Sequence, residues 1–226
     1  MGDMMKKGLL IIVILMCLIM TGCTNKKENT LTGGWETVLS NRVNDLSEED
    51  IYNFNNAIKD YSKEKLEVVA LLGKQVVAGT NYMFLAKTDN KYKIVIVYTD
   101  LEGISKVSKV SDFDYSKYVN KDLNGNNEML SGGWYTESSN IDYKLEDEKI
   151  ENIFESATSE LTGVEYKPLL VIGKQIVSGT NYAILCYGKP IVPNATTGIY
   201  LMTIYNDLNG NSEILGISYI NLAEYN

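Results

Sequence analysis

Few side chains in this chain could carry out catalysis. The 226 residues include no histidine, which is the commonest general base and the commonest metal ligand in proteins. Serine and cysteine nucleophiles need a neighbouring base, so this absence argues against Ser-His and Cys-His chemistry. The paired carboxylates Glu48 and Glu49 stand where a helix is predicted to begin, and the helix dipole favours them there. We therefore predict that the protein is not an enzyme.

Metal, nucleotide and nucleic-acid sites are also disfavoured. Residues 122–126 and 207–211 both read Asp-Leu-Asn-Gly-Asn, but a calcium loop needs a glycine at its sixth position and more carboxylates. We interpret both segments as turns or linkers. No glycine-rich phosphate loop is present, and the net charge of −8 would repel the phosphates of nucleic acid. We expect no metal, no cofactor and no nucleic-acid partner.

The most informative stretch is an octapeptide that occurs twice. Residues 75–82 read Gln-Val-Val-Ala-Gly-Thr-Asn-Tyr, and residues 175–182 read Gln-Ile-Val-Ser-Gly-Thr-Asn-Tyr. A Gly-Gly-Trp stands upstream of each copy, at 33–35 and at 132–134. The offsets, 175 − 75 = 100 and 134 − 35 = 99, agree to within one residue. This repetition predicts two domains of one kind.

Each copy is predicted to place one helix before four strands. Ser47 can cap the first helix, with Asp50 three residues on. Two apolar stripes at helical spacing are formed by Ile51, Phe54, Ile58 and Tyr61 and by Ile150, Phe154, Ala157 and Leu161, the second ended by Gly163. The strands are expected at about 66–74, 80–88, 92–99 and 104–110, and at about 166–174, 180–187, 198–205 and 213–220.

This order predicts an α+β fold in which an antiparallel meander wraps one helix. Alternate turns of a meander share one end of the sheet, so the turns at 75–79 and 100–103 should lie together. Val76 and Val77 are unusual at a turn, since turns favour Gly, Asn, Asp and Ser. If they are exposed, their contact with water costs a free energy of about 25 cal/mol per Å² of apolar surface, unless a partner covers them. Alternatively, the strand simply continues through both valines.

The repeated motif resembles a known one. Residues 75–79 are similar to the Gln-x-Val-x-Gly first hairpin loop of the cystatins, and 80–82 continue it as in the stefins. Leu66-Glu67, Asp89 to Tyr92 and the upstream Gly-Gly also resemble stefin features, and Leu101-Glu102-Gly103 stands in place of the stefin Leu-Pro-Gly loop without its proline. The resemblance implies two tandem cystatin-like domains, each with one α-helix packed across a four-stranded antiparallel β-sheet.

The resemblance also implies a function, the inhibition of papain-like cysteine peptidases. A trunk and two hairpin tips would form a wedge that plugs the active-site cleft without covalent chemistry. The expected peptidase-binding residues are Gly33, Gly34, Gln75, Val76, Val77, Ala78, Gly79, Leu101, Glu102 and Gly103, with a weaker set of Gly132, Gly133, Gln175, Ile176, Val177, Ser178, Gly179, Leu208, Asn209 and Gly210. The alternative is a non-inhibitory envelope module that keeps the fold and binds another protein or ligand.

The N-terminal residues predict export from the cytoplasm. Lys6 and Lys7 precede an apolar run, residues 9–20, that is shorter than the ~20 residues of a membrane-spanning helix. Met20-Thr21-Gly22-Cys23 then resembles a bacterial lipoprotein signal, which implies lipidation of Cys23 and anchoring to the outer face of the cell membrane. An ordinary secretion signal with an incidental cysteine is the alternative. The predicted organisation is a signal peptide (1–22), a tether (23–32), domain 1 (33–120), a linker (121–131) and domain 2 (132–226).

Two further side chains are expected to serve the fold. Cys186 would be the remaining thiol once Cys17 is removed and Cys23 is lipidated, so no disulfide can form. Its position in an alternating strand predicts a buried thiol. Trp35 is interpreted as a core anchor, with a binding role as the alternative.

Overall fold

Each repeat forms an antiparallel sheet of its own in the computed structural model, which describes residues 33–38, 46–89, 91–119, 133–134 and 148–226. The first sheet, in spatial order, consists of β1 (Glu36–Thr37), β2 (Glu67–Val77), β3 (Gly79–Lys87), β4 (Tyr92–Thr99) and β5 (Ser105–Asp112). The second consists of β6 (Val164–Val177), β7 (Gly179–Pro190), β8 (Gly198–Asn206) and β9 (Ser212–Ile220). The α+β class and the eight predicted strands are confirmed, and β1 was not predicted.

The described residues form the helices α1 (Glu48–Ile58), α2 (Ser116–Val119) and α3 (Glu148–Thr158) and a 3₁₀ helix at Leu222–Tyr225. Helices α1 and α3 were predicted and end earlier than expected, whereas α2 and the 3₁₀ helix were not predicted, so the expectation of one helix in each repeat was incomplete. The cap at Ser47 is confirmed, because its Oγ accepts the backbone N–H of Asp50 at 3.1 Å. The extension of the second helical stripe to Leu161 and Gly163 was wrong. The Thr158 hydroxyl donates to the Phe154 carbonyl at 2.8 Å, a competing bond that serine and threonine offer to helix backbones.

The core is divided into three clusters, one of which joins the repeats. Phe54 of α1 packs on one face of the first sheet, and Phe154 of α3 packs on one face of the second. The opposite faces of both sheets contribute side chains such as Leu72, Leu85, Ile172 and Leu185 to a single shared cluster. The two sheets therefore pack against each other, with a helix on each outer face. This shared core was not predicted.

Equivalent residues of the two repeats meet at this interface. Tyr115, which follows β5, lies over Gly173, and Leu222, which follows β9, lies over Gly73. The hydroxyls of Tyr118 and Tyr225, which are 107 positions apart, lie 3.4 Å from each other.

Strands β5 and β9 begin at positions with the same separation, 212 − 105 = 107. The Nζ atom of Lys117 also lies 3.6 Å from a carboxylate oxygen of its counterpart, Glu224. Each repeat thus closes on the other through its C-terminal segment, in the reciprocal manner of a two-fold symmetric dimer.

The expected pair of domains agrees with two sheets, each built from one repeat. The predicted linker, 121–131, lies outside the described residues. Because the sheets share a core, the described residues of both repeats belong to one compact unit. Experiments on this protein should therefore keep both repeats together.

Candidate functional site at the end of the first sheet

The first hairpin is tighter than a five-residue turn. Strand β2 continues to Val77 and β3 begins at Gly79, so Ala78 alone lies between them. The alternative in which the strand runs through both valines is thus confirmed. Val76 and Val77 nevertheless remain 44% and 41% exposed. Ile176 in the second repeat is 62% exposed.

The glutamine of the motif serves the hairpin itself. The Oε1 atom of Gln75 accepts the side-chain amide of Asn81 at 2.8 Å, and its Nε2 donates to the Gly33 carbonyl at 2.8 Å. In the second repeat, Gln175 accepts from Asn181 at 2.6 Å and is completely buried. A peptidase could not contact the Gln175 side chain without opening this hairpin.

The glycine of the motif is also required by the chain's own packing. Gly79 has φ +119°, and a Cβ placed on it would lie only 2.4 Å from the Thr99 carbonyl oxygen of β4. The Tyr98 hydroxyl crosses the hairpin and donates to the Ala78 carbonyl at 2.5 Å.

The second repeat is built in the same way. Gly179 has φ +129°, and the Tyr205 hydroxyl donates to the Ser178 carbonyl. The space beside these two glycines, which we expected to bind a peptidase, is therefore filled by the neighbouring strand.

The second turn exposes its leucine by folding around an aspartate. One carboxylate oxygen of Asp100 accepts the backbone N–H groups of Glu102 and Ile104, both at 2.9 Å. Leu101, at the outer corner, is 86% exposed, and Ile104 is 61% exposed. Asp100 thus acts as the internal cap of the turn.

The corresponding turn of the second repeat uses the same device. Asp207 accepts the backbone N–H groups of Asn209 and Asn211 at 2.8 and 2.9 Å. Hydrogen bonds from the Asn211 side chain and backbone lower the pKa of the Asp207 carboxyl. Leu208 is 83% exposed. This carboxylate is engaged by its own turn, in agreement with our interpretation of 207–211 as a turn, and residues 122–126 lie outside the described residues.

The three predicted segments of the first repeat meet at one end of its sheet. Gly33 contacts Gln75, and Tyr98 connects the hairpin to the strand that leads into the second turn. We use the term apolar tip for the exposed side chains grouped there, Val76, Val77, Leu101 and Ile104. Gly33 is exposed and Gly34 partly buried beside them.

The second repeat presents a similar hairpin and turn. Gly133 is exposed, whereas Gly132 lies outside the described residues. Trp134 packs against the shared core, with its ring centroid 6.4 Å from that of Tyr115. Trp35 packs against the same core and donates its indole N–H to the Asn226 side chain at 2.7 Å. The interpretation of Trp35 as a core anchor is thus confirmed.

Comparison with known proteins leaves the family open. No protein-family model matches this chain, and no curated protein is significantly similar to it. The fold and the geometry of the tip must therefore support any proposal about function.

Four side chains that shape the site were not among the predicted site residues. Asn81 and Asn181 secure the glutamines, and Tyr98 and Tyr205 brace the hairpins. The sequence repeat could have identified them. The two asparagines are 100 positions apart, and the two tyrosines are 107 positions apart, which is also the separation of β5 and β9.

The cysteine of the second sheet serves the fold. Cys186 is fully buried, with its Sγ 3.6 Å from the Tyr200 carbonyl, and burial raises the pKa of the thiol. It is the buried structural thiol that we predicted.

Among the described residues, no three His, Cys, Asp or Glu side chains are grouped as a metal site requires. No helix within the same ranges is long and apolar enough to cross a bilayer.

Proposed function

We propose that the protein inhibits papain-like cysteine peptidases by inserting the apolar tip of its first repeat into the active-site cleft. The observation that carries this proposal is the exposure of Val76, Val77 and Leu101 at one end of the sheet. Burying such side chains in a partner removes apolar surface from water at about 25 cal/mol per Å².

The tip is held in one conformation before any partner arrives. The Tyr98 hydroxyl fixes the hairpin, and the Asp100 carboxylate fixes the second turn. A preorganised surface loses little conformational freedom on binding, which favours affinity. The tip presents no nucleophile, so inhibition would be purely steric and reversible, and the peptidase would supply all reactive groups.

The second repeat would provide a weaker inhibitory surface, through Ile176 and Leu208. Lipidation of Cys23, which lies outside the described residues, would anchor the protein to the outer face of a bacterial membrane. The first repeat directly follows the anchored segment, so its tip would meet extracytoplasmic peptidases.

The decisive experiment titrates papain with the soluble chain 24–226 and follows cleavage of a fluorogenic substrate. The double variant Val77→Asp/Leu101→Asp places two charges at the apolar tip. Loss of central apolar contacts costs 2 kcal/mol or more at such interfaces, or about thirtyfold in the inhibition constant. Ile191→Asp, at a position that is 70% exposed and follows the end of β7 opposite the hairpin, is the control and should inhibit like the parent chain.

Two results would contradict the proposal. One is the absence of inhibition of papain-like enzymes by the parent chain, and the other is equal inhibition by the double variant. Either result would favour the alternative, a cell-envelope module that binds a different protein or ligand. The double variant Ile176→Asp/Leu208→Asp measures how much the second repeat contributes to inhibition.

A further inference from the structure

The last strand of the first sheet has an open edge. Within the ranges that the structure describes, β5 pairs with β4 on one side and with no strand on the other. Alternate backbone N–H and C=O groups of an edge strand point away from the sheet and can pair with another extended chain. This edge is a side of the sheet, whereas the apolar tip lies at the ends of its strands.

Helix α1 lies beside this edge and forms a groove with it. The groove has a volume of about 410 Å³ and is lined by 105–110 of β5 and by residues at the end of the helix. Ala57 and Tyr61 provide apolar surface on the helix side, and Val107 and Val110 pack towards the same helix. An extended peptide paired with β5 would direct every second side chain into this groove.

The other face of the edge carries positive charge. Lys106 lies 5.5 Å from the centre of the Tyr98 ring, and Lys109 donates to the Asn226 carbonyl at 2.5 Å. A register shift between Ile96 and Val97 interrupts the alternation of β5. It explains how two lysines three positions apart share the face turned away from α1.

The charges of the edge favour an acidic partner. In the groove, Lys63 is balanced by the carboxylate of Asp60, whereas the face turned away from α1 carries Lys106 and Lys109. This local excess of positive charge contrasts with the net charge of −8 of the whole chain. Opposite charges on neighbouring strands stabilise pairing, and like charges oppose it.

We propose that β5 binds an extended peptide in which acidic and apolar residues alternate, as an added strand of the first sheet. The backbone of the peptide would bond to the open edge, its apolar side chains would enter the groove beside Ala57 and Tyr61, and its carboxylates would face Lys106 and Lys109. This mode combines backbone affinity with side-chain specificity. It does not depend on the proposed inhibition of peptidases.

The test measures binding of a fluorescein-labelled peptide of four Glu-Val repeats to the chain 24–226 by fluorescence polarisation. A Lys-Val peptide and a Glu-Val peptide with N-methylated valines are the comparison ligands, because the first reverses the charge and the second removes backbone donors. We expect saturable binding of the unmodified Glu-Val peptide alone. Hydrogen exchange at the amides of β5 should slow in the complex.

Matched variants separate the edge from general electrostatics. Lys106→Glu/Lys109→Glu should weaken binding about tenfold or more, since two favourable pairs become repulsive. Lys167→Glu/Lys189→Glu changes the same total charge on exposed positions of the second sheet and should leave binding unchanged. Circular dichroism confirms that both variants are folded.

Several results would overturn the proposal. They are the absence of saturable binding at millimolar peptide, equal binding of the N-methylated peptide, and equal weakening by both lysine pairs. Any of these would assign Lys106 and Lys109 the role of keeping the edge unpaired. Concentration-dependent dimerisation with protected β5 amides would instead assign the edge to a second copy of this chain.

Discussion

Replacing Gly79 with alanine tests whether the motif glycine serves the fold. The residue has φ +119°, and the added Cβ would lie 2.4 Å from the Thr99 carbonyl oxygen. Gly103, at the same end of the same sheet, has φ +83° and nothing within 4 Å of its Cβ position. Both substitutions strain the backbone, but only Gly79→Ala creates a collision. The difference between the two variants therefore isolates the contact with β4.

The expected magnitudes follow from these two terms. A left-handed conformation costs an L-residue about 1–2 kcal/mol, which is the expected loss for Gly103→Ala. A collision in a packed region typically adds about 1–3 kcal/mol, because the β4 backbone must shift. Gly79→Ala should therefore lower the free energy of unfolding by about 2–5 kcal/mol in total.

Urea denaturation of the chain 24–226 measures both values, and an unchanged m-value shows that the denatured state is comparable. The second repeat offers an independent pair. A Cβ on Gly179 would lie 2.5 Å from the Asn206 carbonyl, whereas one on Gly210, with φ +90°, has nothing within 4 Å. Equal losses within both pairs would refute the reasoning. The hairpin would then lie away from β4 in solution, and its glycine would be free to contact a partner.

Three further predictions concern the interface and the anchor. Tyr115→Ala should lower the free energy of unfolding by about 3–5 kcal/mol, because the buried ring covers Gly173; urea denaturation checks this. Burial and the hydrogen bond with Tyr118 raise the pKa of Tyr225, so stability should fall as pH rises above the unfolded value of about 10. Tyr225→Phe should flatten that fall in denaturation curves collected between neutral and alkaline pH. Cys23→Ala should abolish metabolic labelling with a radioactive fatty acid, and undiminished labelling would refute lipidation at that residue.

The strands could be predicted because their apolar residues are bounded by clear turns. Strand β1 was missed because two residues, Glu36 and Thr37, give no periodicity, and its pairing with β2 is a tertiary effect. The helix ends were misplaced because apolar spacing continues past them. Helix α3 ends at Thr158, whose hydroxyl donates a hydrogen bond to the Phe154 carbonyl. The spacing of apolar residues gives no information about such a bond.

The shared core was predictable in principle. All five residues from Tyr82 to Ala86 are buried, and such an unbroken apolar run is typical of a strand covered on both faces. A sheet with one solvated face would alternate apolar and polar residues. The burial of β5 alternates from Ser105 to Ser108, up to the register shift, and this strand is the open edge of its sheet within the described residues. The sequence repeat and the resemblance favoured separate domains, and they outweighed this signal.

The structure divides the repeated motif into residues that the fold needs and residues that it does not. Gln75 and Gly79 are accounted for by their contacts with Asn81 and the β4 backbone, so their presence does not distinguish an inhibitor from another protein of similar fold. Val76 and Val77 remain 44% and 41% exposed, although threonine, which is also β-branched, would suit an exposed strand position. On the inhibitory proposal, a partner would bury both valines. The inhibitory hypothesis therefore depends on the exposed valines rather than on the glutamine and glycine that define the resemblance.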